Sequence, residues 1–224
     1  MVLDGVDFAV GHGEAVGIVG PNGAGKTTLL NVLAGSLRAD AGRVELHGTD
    51  VSRAAAARRC RLGIGRAHQV PRPFGEMTVF ENVFVGAAAG AGGPRSEVYD
   101  RAIESLDACG LSALANRRAE TLGLLHRKRL ELARAVATNP SVLLLDEVGG
   151  GLTDAEADEL LATISRLRSG GMAVVWIEHI VHVLVRGVER LVCMAQGRVI
   201  ADGEPAAVMR DASVIDAYLG TAVV

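Results

Sequence analysis

The residues Gly20-Pro21-Asn22-Gly23-Ala24-Gly25-Lys26-Thr27-Thr28 fit the pattern G-x-x-x-x-G-K-[ST]. Glycines at these spacings let successive backbone N–H groups turn inward around phosphate oxygens. A helix starting at Lys26 would add the positive end of its dipole. The Lys26 ammonium can then reach the outer phosphates of a nucleotide, and the Thr27 hydroxyl can ligate the Mg²⁺ that accompanies them. The context suits this chemistry, because Val16–Val19 reads as a strand and Lys26–Ala34 as the helix that follows it.

A second group is carried by Val142-Leu-Leu-Leu-Asp146-Glu147. Four apolar residues read as a strand buried on both faces, with two acids at its C-terminal end, where open α/β sheets bind their ligands. Asp146 is placed to hold Mg²⁺ through water. Glu147 is placed to orient or deprotonate an attacking water. Taken alone, an acidic pair after an apolar strand is an ordinary solvated turn; the phosphate loop upstream gives this one its meaning. His179 ends a second apolar strand, Ala173–Ile177, and its place in the order suits a γ-phosphate sensor, although a histidine there is more often structural. Gln69, in Arg66-Ala-His-Gln-Val70, is by itself only a loop glutamine.

The surrounding pattern supplies the scaffold. Strand and helix alternate before about residue 77 and again from about residue 140, while residues 78–139 read as mainly helical. The expected fold is therefore a single α/β domain, a P-loop NTPase core (1–77 and 140–224) with an inserted helical subdomain. Arg43–His47 reads as a strand, and Ser52 as the cap of a short helix. The run Gly86–Pro94 reads as a small-residue linker. Ser96–Cys109 should bury Val98, Ala102, Leu106 and Cys109, with Gly110 as its C-cap. Thr153 and Glu156 form a capping box ahead of a helix that buries Ala157, Leu160, Leu161, Ile164 and Leu167.

Bulk properties narrow the possibilities further. Net charge is −3 and aromatics make up 3%, which argues against a nucleic-acid binder. Mean hydropathy is +0.28, yet no window approaches the ~18 apolar residues of a membrane span. Cys60, Cys109 and Cys193 lack metal-ligand spacing and read as buried apolar residues in a reducing compartment. No secretory signal is visible, so the cytosol is the expected location.

The order of elements resembles the ATP-binding subunits of ABC transporters: GPNGAGKTT, Gln69 within GIGRAHQVPRPF, a helical stretch ending RKRLELARA, then LLLDE, GLT and WIEH. GEMTVFENVFVGA and the tail GRVIADGEPAAVMRDASVIDAYLG are most similar to branched-chain amino-acid importer ATPases. The resemblance covers nearly the whole chain. It implies a RecA-like core with a helical subdomain, working as a dimer that sandwiches two ATP molecules with Mg²⁺. By this resemblance Gly20–Thr28 are the Walker A loop and Gln69 is the Q-loop residue touching Mg²⁺. Asp146 and Glu147 are Walker B and the catalytic glutamate, Gly151-Leu152-Thr153 opens the D-loop, and His179 is the switch histidine. Implied partners are a second ABC ATPase subunit, transmembrane permease subunits and, indirectly, a solute-binding protein. The implied location is peripheral, on the inner face of the cell membrane.

Three departures from the family pattern carry consequences. The signature L-S-G-G-Q is replaced by Leu122-Gly-Leu-Leu-His126, whose leucines would obstruct approach to a γ-phosphate unless Thr121 or Gly123 substitutes. Val148 stands where proline is usual. The aromatic that stacks on adenine in relatives falls before Met1, and Phe8 reads as a core strand residue; either an upstream start or reduced affinity is implied. The altered signature suggests a heterodimer in which one composite site hydrolyses and the other holds ATP, or a regulatory subunit with weak turnover. Arg127-Lys128-Arg129 oppose the helix dipole and read as a solvated face. Pro71–Met77 reads either as a docking loop for the membrane subunit or as an ordinary buried loop.

Overall fold

The computed structural model describes residues 2–219. The central sheet has six strands in the order β4-β5-β6-β1-β7-β8. They are β1 (Ala15–Val19), β4 (Ile64–Ala67), β5 (Val142–Asp146), β6 (Ala173–Ile177), β7 (Arg190–Ala195) and β8 (Arg198–Gly203). The first five run parallel, and β8 returns antiparallel to β7.

The apolar runs form strands because both sheet faces are covered. Along β1, Val16 and Ile18 point to one core and Ala15 and Val19 to the other. The same alternation divides Leu144 from Leu143 and Leu145, and Val175 and Ile177 from Val174 and Trp176. Helix α1 (Lys26–Ala34) covers the first face with Leu29, Leu30 and Ala34. Helices α6 (Asp154–Ser169) and α7 (Val181–Gly187) cover the second. The expected stripe of α6 is buried, and Thr153 and Glu156 form the reciprocal capping box.

Between β4 and β5 the chain forms α3 (Val79–Ala89), α4 (Arg95–Ala108) and α5 (Leu124–Val136), with two short 3₁₀ turns before α5. Helix α4 ends as expected. Gly110 has φ +67, its N–H donates to the Asp107 carbonyl (2.9 Å), and the Leu111 N–H donates to that of Leu106 (2.8 Å). This is the two-bond helix stop for which glycine is suited. Beyond β8 lie α8 (Pro205–Val208) and α9 (Ala212–Leu219).

Several local expectations are corrected. Only Glu45–Leu46 of the expected Arg43–His47 strand pairs; this β2 meets β3 (Thr49–Asp50) in a hairpin whose turn residues His47 and Gly48 have φ 50 and 74. Positive φ at both turn positions is what a type I′ two-residue hairpin demands, so His47 belongs to the turn and not to the strand. Ser52 caps no helix. Its Oγ accepts from the Val44 N–H (2.8 Å) and bonds Asp50, while α2 (Ala56–Leu62) begins at Ala55 without a side-chain cap. The Gly86–Pro94 run is not simply a linker, because its first residues complete α3. A Cβ on Gly86 would lie 2.4 Å from the Arg134 carbonyl oxygen of α5, so the small residues there are a helix-packing face. Phe8 is in no strand and packs, half-buried, against the α1-side core.

Candidate functional site

The parallel register sets the site. Ile18 of β1 pairs with Ile177 of β6, Ile177 with Asp146 of β5, and Leu145 with Ala67 of β4. The residues just past these rows leave neighbouring strands, about 4.8 Å apart, at the same end of the sheet. They are Gly20, His179, Glu147 and Gln69. Residues up to about 160 positions apart in sequence are thereby brought side by side, at the strand ends where such sheets bind ligands.

The phosphate loop follows β1. Gly20, Gly23 and Gly25 have φ of 144, 80 and 101, and α1 starts at Gly25 with no side-chain cap and no acid in its first turn. A loop of this kind directs its N–H groups into the concavity. Lys26 is buried, its Nζ donating to the carbonyls of Gly20 (2.6 Å) and Pro21 (3.0 Å). Burial lowers its pKa, and the nearby Glu147 carboxylate opposes that shift. Asn22, Gly23, Ala24, Gly25, Lys26, Thr27 and Thr28 line a pocket of about 250 Å³ together with Val2, Glu147 and His179.

Glu147 is the centre of the acidic half. Its backbone takes φ 50, unusual for a residue other than glycine, and is held by its N–H donating to the Ile177 carbonyl (2.9 Å). One carboxylate oxygen accepts from Gln69 Nε2 (2.5 Å), and the other lies 2.6 Å from His179 Nε2. The carboxylate is therefore aimed by an amide and an imidazole that follow two different strands, on the rim of the pocket lined by residues 22–28. Strain of this kind persists only where surroundings enforce it, and it gathers at functional sites.

Asp146 sits differently. It pairs with Arg66 (2.7 Å) and lines a separate cavity of about 370 Å³ with His68, Gln69, Val70, Arg72 and Glu131. Arg66 also donates to Asn31 of α1 (2.7 Å), joining the acid to the helix that follows the phosphate loop. Sequence reading passed over this arginine. A cation inside a short strand beside the Asp-bearing strand was the available signal. It also missed Glu178, which is almost fully buried and accepts from the Gly149 N–H (2.5 Å) and Trp176 Nε1 (3.3 Å). Burial raises the Glu178 pKa, with those donors and Lys128 opposing.

The solvated-face reading of Arg127–Arg129 is overturned. Lys128 is 5% exposed, and its Nζ donates to the Gln69 carbonyl (3.3 Å). Arg127 donates to the Glu120 carbonyl (2.7 Å), and Arg129 pairs with Glu159 of α6 (2.7 Å). Lys128 and Arg129 tie the helical insertion to the core, while the Arg127 bond stays within the insertion; the one-helix view of the dipole shows neither.

Residues 122–126, which the resemblance aligns with the signature, lie at the start of α5. Leu122 and Leu125 are buried, while Leu124 stands 44% exposed at the first helical position. The Thr121 hydroxyl is spent on the Arg118 carbonyl (2.8 Å). In the Pro71–Met77 loop Phe74 is 46% exposed and Met77 is also exposed, as is Val70 just before it, so this is not a buried loop. Its backbone is pinned by Asn82, which accepts from the Phe74 N–H (2.8 Å) and donates to its carbonyl (3.0 Å). Arg134 lies over the Phe74 ring at 5.2 Å.

Residues 3–149 match the ABC transporter family, which is more than half of the chain. This chain belongs to that family. Residues 198–224 of the cassette separately match the branched-chain amino acid ATP-binding cassette transporter family. Over 99% of its length it is 35% identical to the high-affinity branched-chain amino acid transport ATP-binding protein BraF of Pseudomonas aeruginosa, covering 93% of that protein. It is 32% identical, over 98% of its length and 91% of the relative, to the lipopolysaccharide export system ATP-binding protein LptB of Haemophilus influenzae. Among solved structures, it superposes on the ADP conformation of MJ1267, an ATP-binding cassette of an ABC transporter. The TM-score is 0.89 and the identity 33%, with 98% of this chain and 92% of the other covered. The P-loop NTPase core with its inserted helical subdomain is thus the fold of the cassette. Among the described residues no helix is long and apolar enough to cross a membrane.

Proposed function

We propose that this cassette binds ATP with Mg²⁺ in the Gly20–Thr28 loop and hydrolyses it to drive a membrane permease. The observation that carries the reading is that Glu147 and His179 line the pocket of residues 22–28, with Gln69 donating to Glu147 from the neighbouring cavity. A loop of positive-φ glycines, a buried ammonium and an uncapped helix start fit a polyphosphate. Thr27, Gln69 and Asp146 would hold Mg²⁺, with Asp146 released from its pair with Arg66; when bound, the ion spreads the charge of the phosphates.

In this reading Lys26 leaves the Gly20 and Pro21 carbonyls to meet the outer phosphates. Glu147 accepts a proton from water as the water oxygen bonds to the γ-phosphorus and the bond to the bridging oxygen breaks, leaving ADP and phosphate. Gln69 and His179 keep the carboxylate pointed at that water. General-base catalysis of this kind is worth about 10²–10⁴-fold. Glu147→Gln should therefore lower turnover by about that factor while nucleotide affinity persists. Turnover that survives the change would exclude Glu147 as the base.

The 198–224 match supports import of branched-chain amino acids or related solutes over export. The exposed Val70, Phe74 and Met77 suit contact with permease subunits on the inner face of the membrane. Phe74→Asp should abolish transport in the assembled transporter and leave basal hydrolysis in place; loss of both would count against docking here.

One observation favours a second reading. Leu124 is exposed at the first position of α5, and by the resemblance that is the face a partner's γ-phosphate would approach. The cassette would then pair with a second ABC ATPase, hydrolysing at its own phosphate loop or serving a regulatory role with weak turnover. Measuring ATP turnover of the chain alone and with that partner separates these cases: self-sufficient turnover rejects the heterodimer.

A further inference from the structure

The C-terminal helix α9 reaches back to the first residue of the phosphate loop. The Gly20 N–H donates to the Tyr218 hydroxyl at 2.8 Å, across 198 positions of sequence. The Gly20 carbonyl in turn accepts from Lys26 Nζ at 2.6 Å. One glycine therefore carries the phenol on its N–H side and the ammonium on its carbonyl side.

This glycine has no room to move toward β7. Its φ is 144, and a Cβ would lie 2.0 Å from the Met194 carbonyl oxygen. With β7 against one side, the phenol is the group that satisfies its N–H from the other. Burial pushes the Tyr218 pKa up, so the group is a neutral hydroxyl at physiological pH. Helix α9 is itself anchored. Val214 is buried in the core, and Asp211 accepts from the Ser213 N–H (2.8 Å) and hydroxyl (2.5 Å).

We infer that Tyr218 is a positioning residue for nucleotide binding: its hydroxyl fixes Gly20, the first residue of the loop whose N–H groups would surround the phosphates, so that seating of α9 and nucleotide affinity are linked. The inference rests on the reading that this loop holds nucleotide phosphates. Linkage is reciprocal, so nucleotide that favours the fixed loop must also favour the seated helix. Without the phenol the nucleotide-free loop can turn the Gly20 N–H toward water, whereas a loop holding phosphates is fixed with that N–H unpaired, so affinity falls by about 3- to 10-fold, the worth of one neutral hydrogen bond.

The test uses the full chain, Tyr218→Phe and Mg·ADP as the probe. Calorimetric titration should show affinity reduced about 3- to 10-fold in the variant, with the nucleotide-free melting temperature nearly unchanged. Hydrogen exchange of amides 212–219 should slow on adding Mg·ADP to the wild type and stay unchanged in the variant. Equal affinity in both proteins overturns the role of Tyr218, as does a lower melting temperature without an affinity change. Failure of the wild type to bind Mg·ADP would instead overturn the phosphate-loop reading, and this inference with it.

Discussion

The starts of α1 and α5 are alike in what they lack. Neither has a side-chain cap or an acid in its first turn, whereas α3 and α6 are each closed by a Thr–Glu capping box. An uncapped start leaves N–H groups for another acceptor. The likeness ends there. Before α1, three glycines hold positive φ and shape the backbone into a concavity. Before α5, Gly123 has φ −68 and ψ 170, which any residue can adopt, and the exposed Leu124 follows. The proposed phosphate seat is therefore written into backbone conformation, while the face offered at α5 is made of side chains and open to change.

The sharpest way to break this contrast is to add a side chain at each start. Gly25→Val places a β-branched residue at φ 101, with a Cβ 2.9 Å from the Leu3 side chain and 3.2 Å from the Val2 carbonyl oxygen. It should abolish measurable Mg·ATP binding and lower the melting temperature by several degrees, about 1–3 kcal/mol. Gly123→Ala meets nothing within 4 Å. It should leave binding and melting temperature nearly unchanged, by less than about 0.5 kcal/mol. Similar losses in the two variants would erase the distinction.

Next in size is Lys26→Ala, which removes one charged donor from the seat. Affinity for Mg·ATP, read by titration, should fall about 10- to 100-fold. The corresponding change at α5 is Leu124→Gly. If leucine is what spoils this start, turnover of the chain alone should rise about 3- to 10-fold, near 1 kcal/mol of transition-state stabilisation. No change would mean that α5 does not face a phosphate.

The smallest expected effect concerns the turn after β5, which Glu178 holds through the Gly149 N–H. Its folded-state pKa is raised above the ordinary 4.5 by burial. Its contribution to stability is thus fully present below about 4.5 and lost as pH rises through the higher folded-state value. Glu178→Gln keeps an acceptor and removes the charge. Melting curves across pH should show the variant gaining on the wild type as pH rises, and parallel curves would contradict the raised pKa.

What the sequence disclosed follows the same contrast. Val142–Asp146, Ala173–Ile177 and Lys26–Ala34 have the bounds expected from it, because strands buried on both faces are continuous apolar runs and the phosphate motif fixes where its helix starts. The α6 capping box was equally legible, being a local pattern. Contacts that join distant parts of the chain were not. Arg66 reaches Asp146 across β4 and β5, Lys128 reaches the Gln69 carbonyl across the helical insertion, and Tyr218 reaches Gly20 from the far end. Each depends on strand order and helix docking, which no local spacing records. The read-through of Gly86–Pro94 as a linker failed for a related reason: small residues look alike whether they loosen a chain or let two helices close.

The most direct measurement is a crystal structure of Glu147→Gln grown with Mg·ATP. The account predicts the outer phosphates within hydrogen-bond reach of Lys26 Nζ and of the N–H groups between Gly23 and Thr28. Nucleotide seated instead in the cavity of His68, Arg72 and Glu131, with Lys26 still on the Gly20 and Pro21 carbonyls, would contradict it.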